Sequence, residues 1–99
     1  MRSKQSFIHA SRFVSVYRDH LIPVPATIAS LSDAAAIPEV WLTAFQLLVT
    51  IAQVRPGDRV LIHAAASGVG TSLIQLCKKY GAVSICSASL DEKLEECKR

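Results

Sequence analysis

The run Val60-Leu61-Ile62-His63-Ala64-Ala65-Ala66-Ser67-Gly68-Val69-Gly70-Thr71 decides the fold of this 99-residue chain. It begins with three consecutive apolar residues, which is typical of a buried strand. Small residues follow at once, and apolar residues then recur at helical spacing as far as Tyr80. A strand, a tight turn and a helix in this order leave the free N–H groups of the first helical turn facing the turn, where they bind anions. The run therefore predicts a phosphate-binding βα turn.

The turn matches the dinucleotide-binding fingerprint G-x-G-x-x-G with two replacements. Ala65 stands at the first glycine position, Ser67 stands at the second, and Gly70 keeps the third. A small second residue lets the backbone approach a pyrophosphate, and the third glycine lets the helix pack closely on its strand. The predicted cofactor-binding residues of the turn are Ala65, Ala66, Ser67, Gly68, Val69 and Gly70. The alternative is a plain βα turn whose small residues serve packing alone. A mononucleotide P-loop is not supported, because no G-K-[ST] sequence follows the turn.

The residues after the second predicted strand indicate which nicotinamide cofactor would bind. Sites that prefer NAD place an acidic residue there, which binds the ribose hydroxyls. This chain has Ser87 and Ser89 at that position, with an alanine between them. Lys93 follows one helical turn later and can neutralise a 2′-phosphate. We therefore expect NADPH rather than NADH. The alternative for Lys93 is a solvated helix charge that pairs with Glu92 or Glu96.

The remaining elements are predicted from turn residues, prolines and hydrophobic spacing. Residues 1–10 show no periodicity and are expected to be loose, whereas residues 12–17 alternate like a strand. The first half then continues with an extended segment at residues 21–25, a helical turn capped by Ser32 and a helix from Pro38 to about residue 52. The second half is predicted to contain a turn at 55–58, a strand at 60–64, a helix at 69–80 ended by Gly81 and a strand at 83–87. A capping box of Ser89 and Glu92 opens a last helix. The second half is thus a β-α-β-α unit, which implies parallel strands.

The charge of the chain is concentrated at its N-terminus. Residues 1–18 carry four basic and no acidic side chains, whereas the remainder carries seven basic against eight acidic ones. A nearly neutral body argues against a nucleic-acid groove. The apolar stretch at residues 41–52 is too short, and too interrupted by polar residues, to cross a bilayer, so no membrane partner is expected. We expect a cytoplasmic protein. The Arg- and Ser-rich N-terminus leaves a mitochondrial transit peptide as the alternative.

The cysteine and histidine residues predict neither a disulfide framework nor a metal site. Cys77, Cys86 and Cys97 are odd in number and lack C-x-x-C spacing. The first two are expected to be small buried residues, and Cys97 is expected to be exposed. His63 is expected to be a structural residue with satisfied hydrogen bonds. Four apolar residues at helical spacing are expected in the core, namely Trp41, Phe45, Leu48 and Ala52.

Three motifs in order resemble the zinc-free quinone oxidoreductases of the medium-chain dehydrogenase/reductase superfamily. They are residues 34–45 (Ala-Ala-Ala-Ile-Pro-Glu-Val-Trp-Leu-Thr-Ala-Phe), the Pro-Gly-Asp and following strand at residues 56–64, and Ser-Gly-Val-Gly at residues 67–70. The resemblance implies an α/β fold. The implied fold is an incomplete Rossmann unit, that is, part of a doubly wound parallel sheet. Only the first two strands of the sheet and their helices are expected here, and a short strand and helices from the domain junction precede them. The implied domains are residues 1–31, an N-terminal extension with the end of the catalytic-domain region, and residues 32–99, a partial NADPH-binding Rossmann domain.

The resemblance also implies an activity, which is hydride transfer from NADPH to quinones or related conjugated carbonyls without a metal. By resemblance, Thr43 lies near the nicotinamide, and the turn at residues 65–70 holds the pyrophosphate. Ser87, Ser89 and Lys93 surround the 2′-phosphate. No residue of this chain is assigned a catalytic role, and homo-oligomers are expected for the full-length family.

Members of this family are several times longer than this chain, which is therefore expected to be a fragment of an NADPH-dependent quinone oxidoreductase. The alternative is a catalytically inactive truncated isoform that acts as an interaction or regulatory partner of a full-length relative. Apolar surface without its partner strands favours association, and this feature discriminates between the two hypotheses.

Overall fold

The computed structural model describes residues 13–98, so the predicted loose segment at residues 1–10 lies outside the described residues. The described part is a mixed α/β chain. Its elements, in chain order, are a 3₁₀ turn (Arg18–His20), α1 (Leu31–Ala35), α2 (Leu42–Phe45), β1 (Arg59–Ile62), α3 (Gly68–Tyr80), β2 (Val83–Cys86) and α4 (Asp91–Cys97). Turns of π-helix at Ile37–Trp41 and Gln46–Ile51 extend α2 in both directions. Residues 37–51 are called the long helix below.

The two strands pair in parallel, as the sequence predicts. Arg59 pairs with Val83 and Ile62 pairs with Cys86, so the register runs through the whole length of both strands. The pairing continues beyond the strand ends, because Ser87 N–H donates to Ile62 C=O at 3.0 Å and Ala65 N–H donates to Ser87 C=O at 3.0 Å. These two bonds fix the backbone of Ser87 beside the turn that leaves β1. The predicted incomplete Rossmann arrangement of two parallel strands and their helices is therefore confirmed.

Helix α3 begins and ends where the sequence predicts, to within one residue. At its start the Ser67 hydroxyl accepts a hydrogen bond from Gly70 N–H at 3.1 Å, which satisfies one of the N–H groups that a helix leaves free. At its end Gly81 adopts a left-handed backbone with φ of 70°, and its N–H donates to the C=O of Lys78 and Cys77. Glycine takes this conformation without a steric penalty, so Gly81 ends the helix.

The long helix packs across α3 and supplies part of the core. Pro38 lies in its first turn, where the missing N–H costs nothing. The buried apolar residues come from the long helix, the end of β1, the turn and α3, and they are Ala44, Leu48, Ile62, Ala65, Leu76 and Cys77. This confirms the apolar face predicted for α3. It confirms only part of the core predicted for the long helix, because Leu48 is buried but Phe45 is 45% exposed.

One face of the sheet is covered and the other is bare. Ile62 points to the helices and is buried, whereas Leu61, on the opposite face, is 58% exposed. The register places Leu61 beside Ile85 on that opposite face, where Ile85 is 46% exposed and Val83 is 54% exposed. Contact of such a row of branched apolar side chains with water is unfavourable, and none of the described residues covers it.

Three local predictions are wrong. No strand forms in the described part of residues 12–17, whose side chains are exposed, because alternation makes a strand only where a second strand pairs with it. Helix α1 is capped by Ser30 rather than Ser32, since the Ser30 hydroxyl accepts from Asp33 N–H at 3.1 Å. The capping box at Ser89 does not form. The N-cap position of α4 is taken by Leu90, and the Ser89 side chain lines a cleft instead.

The helical segment Leu31–Ile51 is 21 residues long and has a mean hydropathy of 1.5. By length and composition alone it could cross a membrane, and a core helix of a soluble protein passes the same test. The segment joins α1 to the long helix. It is therefore longer than the apolar stretch at residues 41–52 considered from the sequence. Ala44 and Leu48, within the segment, are buried in the core with α3.

Gly70→Ala should destabilise the fold much more than Gly68→Ala. A Cβ at Gly70 would lie 2.5 Å from Ala65 O and 2.7 Å from Ala64 O, both backbone atoms that cannot move without displacing the turn. Overpacking of this kind costs about 1–3 kcal/mol or more. At Gly68 the nearest atom is Val40 Cγ1 at 2.9 Å, the end of a side chain that can rotate away. Urea unfolding followed by circular dichroism measures both variants. Equal stability losses for the two would contradict this account of the packing.

Candidate functional site

A cleft of about 430 Å³ opens where both strands end and α3 begins. Its volume lies within the range of about 300–1,000 Å³ that is typical of small-molecule sites. The residues that line it are His63, Ala64, Ala66, Ser67, Ser87, Ala88, Ser89 and Lys93. Five of the ten predicted site residues are among them. The cleft lies at the carboxyl ends of parallel strands, which is where α/β sheets bind ligands.

The floor of the cleft is the turn from β1 into α3. Ser67 lies at the N-cap of a 13-residue helix, and Gly68 and Val69 follow it in the first turn. The N–H groups of a first helical turn have no acceptor within the helix, and together with the helix dipole they favour an anion. Gly70 N–H is directed to the Ser67 hydroxyl, so the N–H groups of Gly68 and Val69 are the ones left for a ligand. The turn therefore has the chemistry of a phosphate site.

The close approach of α3 to its own turn depends on Gly70. Any side chain at this position would overlap the carbonyl oxygens of Ala64 and Ala65. This geometry matches the role that the fingerprint gives to its third glycine, which is close packing of the helix on the strand. Gly70 is buried and does not line the cleft, so it acts on the site through the placement of Ser67 and the first turn.

The wall opposite the turn is built around Ser87. Its backbone is held by the two hydrogen bonds that extend the sheet, and its hydroxyl lies 2.9 Å from His63 Nδ1 in a further hydrogen bond. A side-chain hydrogen bond therefore joins the ends of the two strands, in addition to the backbone hydrogen bonds. His63 thus has the hydrogen-bonded role that the sequence analysis expects.

Lys93 supplies the positive charge of the cleft. It lies in α4 and is among the lining residues, whereas none of the lining residues is an aspartate or a glutamate. Lys93 forms no ion pair with any of residues 13–98, and the ion pair recorded on α4 joins Lys98 Nζ and Glu95 Oε1 at 2.6 Å. The alternative in which Glu92 or Glu96 neutralises Lys93 is therefore not seen in the described part of the chain.

The other predicted site residues are not among those that line the cleft. Thr43 is in α2, and its hydroxyl donates to Glu39 C=O at 3.0 Å. Ala65 is fully buried in the core, and Val69 packs against that core from the first turn of α3. The structure thus brings together Ala66, Ser67, Ser87, Ser89 and Lys93, and it places Thr43 at a different part of the surface.

Sequence reasoning missed Ala64 and Ala88 as lining residues and gave His63 no place in the site. Ala64 has a positive φ of 51°, which is unusual for a residue with a Cβ. The tight turn thus bends at Ala64, one residue before the position that the fingerprint alignment gives to its first glycine. The position of His63 and Ala64 directly after the strand was the signal for their place in the cleft, since ligands bind at strand ends.

Within residues 13–98, no group of three His, Cys, Asp or Glu side chains is arranged to hold a metal ion.

No protein-family model matches the chain. Among curated proteins, the highly reducing polyketide synthase curS1 of Aspergillus terreus is 45% identical over 64 residues, which cover 65% of this chain and 3% of that protein. Among solved structures, the CurK enoyl reductase superposes with a TM-score of 0.67 at 39% identity and covers 78% of this chain and 24% of its own. The quinone oxidoreductase of Thermus thermophilus, solved also in complex with NADPH, gives a TM-score of 0.70 at 40% identity over 81% of this chain and 26% of its own.

The chain therefore spans a small part of the proteins that it matches. Over that part, the resemblance to quinone oxidoreductases of the medium-chain dehydrogenase/reductase superfamily is confirmed, and enoyl reductases share it to the same degree. The described residues form a partial Rossmann-type unit that matches the corresponding part of these neighbours.

Ala64→Gly is expected to stabilise the fold. A left-handed backbone costs an L-residue about 1–2 kcal/mol, which glycine avoids, whereas the greater freedom of glycine in the unfolded chain costs about 0.5–1 kcal/mol. The net gain is up to about 1.5 kcal/mol. Ala66→Gly is the matched control, because Ala66 is not among the described residues with positive φ and should only lose stability. Thermal unfolding of both variants checks this, and a loss for Ala64→Gly as large as that for Ala66→Gly would contradict it.

Proposed function

We propose that this chain supplies the part of an NADPH-dependent oxidoreductase that holds the pyrophosphate and the 2′-phosphate of the cofactor. The enzyme would transfer hydride from NADPH to quinones or related conjugated carbonyls. The observation that carries the proposal is the cleft at the strand ends. It combines a helix N-terminus, two serines and Lys93 without a carboxylate.

The turn fits a pyrophosphate for two reasons. The Ser67 cap and the absence of a Cβ at Gly70 hold the first turn of α3 against the end of β1, beside the cleft that Ser67 lines. The lining residues of the turn, Ala64 and Ala66, are small and leave the backbone accessible to a phosphate.

The opposite wall fits a 2′-phosphate better than it fits a free ribose. A carboxylate at this wall would accept hydrogen bonds from the two ribose hydroxyls and repel a phosphate. The wall instead offers the hydroxyls of Ser87 and Ser89 as donors and Lys93 as a cation. These groups support NADPH over NADH.

The substrate class follows from the comparisons and from the chemistry of the cofactor. A nicotinamide cofactor supplies a hydride, and the protein binds and orients it. Quinones and enoyl compounds are both conjugated carbonyls that accept a hydride at carbon or oxygen of the conjugated system. Solved neighbours that are named for each of these two activities resemble the chain to a similar degree. The contribution of this chain is to fix the phosphates by the first turn of α3 and by Lys93.

Lys93→Gln should weaken NADPH binding about tenfold or more and leave NADH binding unchanged. A hydrogen bond to a charged group contributes about 1.5–3 kcal/mol, and about 1.4 kcal/mol corresponds to a factor of ten. Calorimetric titration of the chain with each cofactor measures the effect. Lys98→Gln is the matched control, since Lys98 carries the same charge near the end of α4 and does not line this cleft. Equal losses for the two cofactors would show that Lys93 does not contact the 2′-phosphate.

The activity is tested by following the absorbance of NADPH with a quinone and with an enoyl thioester as acceptors. Oxidation of NADPH that depends on either acceptor supports the proposal. Oxidation of NADH at the same rate would contradict the assignment of the cofactor.

A second candidate function is association without catalysis, and the bare sheet face favours it. Leu61, Val83 and Ile85 form an apolar row on a surface that no described residue covers. A second copy of the chain or a longer relative could bury this row.

If the bare face mediates self-association, Ile85→Thr should shift the chain towards monomer. Threonine keeps the β-branched shape that suits a strand and removes part of the apolar surface. Val16→Thr is the control, because Val16 is 45% exposed and Ile85 is 46% exposed, but Val16 lies outside the sheet. Size-exclusion chromatography with light scattering measures the mass. A wild-type chain that stays monomeric at all concentrations would contradict self-association.

A further inference from the structure

Two cysteine residues line a second cleft of about 480 Å³, between β2 and α4. Cys86 is the last residue of β2, and Cys97 is the last residue of α4. Both residues are half-buried, and both pack against the core. The structure thus brings the cysteines at the end of a strand and at the end of a helix to the same cleft.

The two thiols belong to one neighbourhood. Both cysteines line the same cleft. Burial raises the pKa of the Cys97 thiol, and the neighbouring Cys86 and Glu96 raise it further. The third cysteine, Cys77, is fully buried and has no access to a reagent in solution. The chain therefore contains one thiol pair that is both close and reachable.

Helix α4 can adjust to bring the two sulfurs into bonding distance. It is seven residues long, none of its residues is buried, and its N-cap Leu90 forms no side-chain cap. The two sulfur atoms must approach each other to reach the disulfide length of about 2.05 Å. A short helix that is attached mainly through Leu94 and Cys97 can make this small movement without disturbing the core.

We propose that Cys86 and Cys97 form a redox-active pair that a low-molecular-weight disulfide, such as oxidised glutathione, converts to an intramolecular disulfide. In the first step the Cys86 thiolate, after loss of its proton to solvent, attacks the reagent. A mixed disulfide forms, and one reagent thiolate leaves. In the second step the Cys97 thiol loses its proton and attacks the Cys86 sulfur, which releases the second reagent thiolate. Two thiols of the protein are oxidised, and one disulfide of the reagent is reduced to two thiols.

The disulfide would close a loop that contains one wall of the first cleft. Residues 86–97 include Ser87, Ser89 and Lys93, which line that cleft. Oxidation thus fixes α4, and with it Lys93, relative to the end of β2. Any consequence for cofactor affinity rests on the function proposed above, whereas formation of the disulfide does not.

Tryptic mapping of the whole chain tests the pair directly. Cleavage after Lys79 and Lys93 places Cys86 in residues 80–93 and Cys97 in residues 94–98, whereas Cys77 falls in an earlier peptide. The reduced chain is incubated with oxidised glutathione, the remaining thiols are alkylated, and the peptides are analysed by mass spectrometry. We expect the two peptides to be joined, with no glutathione retained and with Cys77 alkylated once the chain is unfolded. Stable glutathione adducts, dimers linked through Cys97, or bonds that involve Cys77 would overturn the proposal.

A control in urea shows whether the folded structure, rather than the spacing of the cysteines in the sequence, selects which disulfide forms. Cys86 is nine residues from Cys77 and eleven from Cys97, so the entropy of closing either loop is similar in the denatured chain. In urea both bonds should therefore form, whereas the folded chain should form the Cys86–Cys97 bond alone. The same mixture of bonds in both conditions would show that the fold does not select the pair. Hydrogen exchange of residues 91–97 should slow on oxidation and recover on reduction with dithiothreitol, and an unchanged rate would show that the bond does not fix α4.

Discussion

The rest of the structure depends on the close approach between the first turn of α3 and the end of β1. The backbone of Gly70 lies against the carbonyl oxygens of Ala64 and Ala65, at distances that leave no room for a Cβ. This contact sets the direction in which α3 leaves the strand, and therefore the face of α3 that meets the long helix. It also places Ser67 at the helix cap and at the edge of the cleft. The packing of α3 on β1 and the position of the Ser67 cap at the cleft thus both depend on the absence of a side chain at Gly70.

The cleft is a product of the parallel sheet as much as of the turn. Parallel pairing brings the carboxyl ends of β1 and β2 to the same edge, and the backbone bonds at Ser87 and Ala65 carry the pairing into the loops. His63 and Ser87, 24 positions apart in the chain, meet there in a side-chain hydrogen bond. A short sheet thus holds both walls of the site in a fixed relation.

The elements differ in how firmly they are held. The long helix, β1 and α3 share the buried core, whereas α4 has no buried residue. Lys93, on which the preference for NADPH depends in the proposed function, lies in this weakly packed helix. Cys97 lies at the other end of the same helix and lines a second cleft together with Cys86. The two faces of the sheet also differ in how well they are covered. One layer of helices covers Ile62, and none of the described residues covers Leu61 or Ile85.

The sequence by itself determined the elements whose signals are local. The strand at β1, the α3 helix with its left-handed Gly81, the parallel β2 and the turn at residues 55–58 all follow from hydrophobic spacing and turn residues, which act over a few neighbours. The meeting of Ser67, Ser87, Ser89 and Lys93 at one cleft could be predicted, because each lies near a strand end or in the helix that follows one.

Only the tertiary structure decided the features that need a partner distant in the chain. Residues 12–17 alternate as a strand would, but their described part forms none without a second strand. Ser89 has the spacing of a helix cap, but its side chain lines the cleft. The hydrogen bond of His63 with Ser87 and the cleft shared by Cys86 and Cys97 follow from how the elements meet in space. The bend at Ala64 and the burial of Leu48 but not Phe45 have the same origin. Local pattern fixes what each segment can become, and the energy of packing against the other segments selects what it does become.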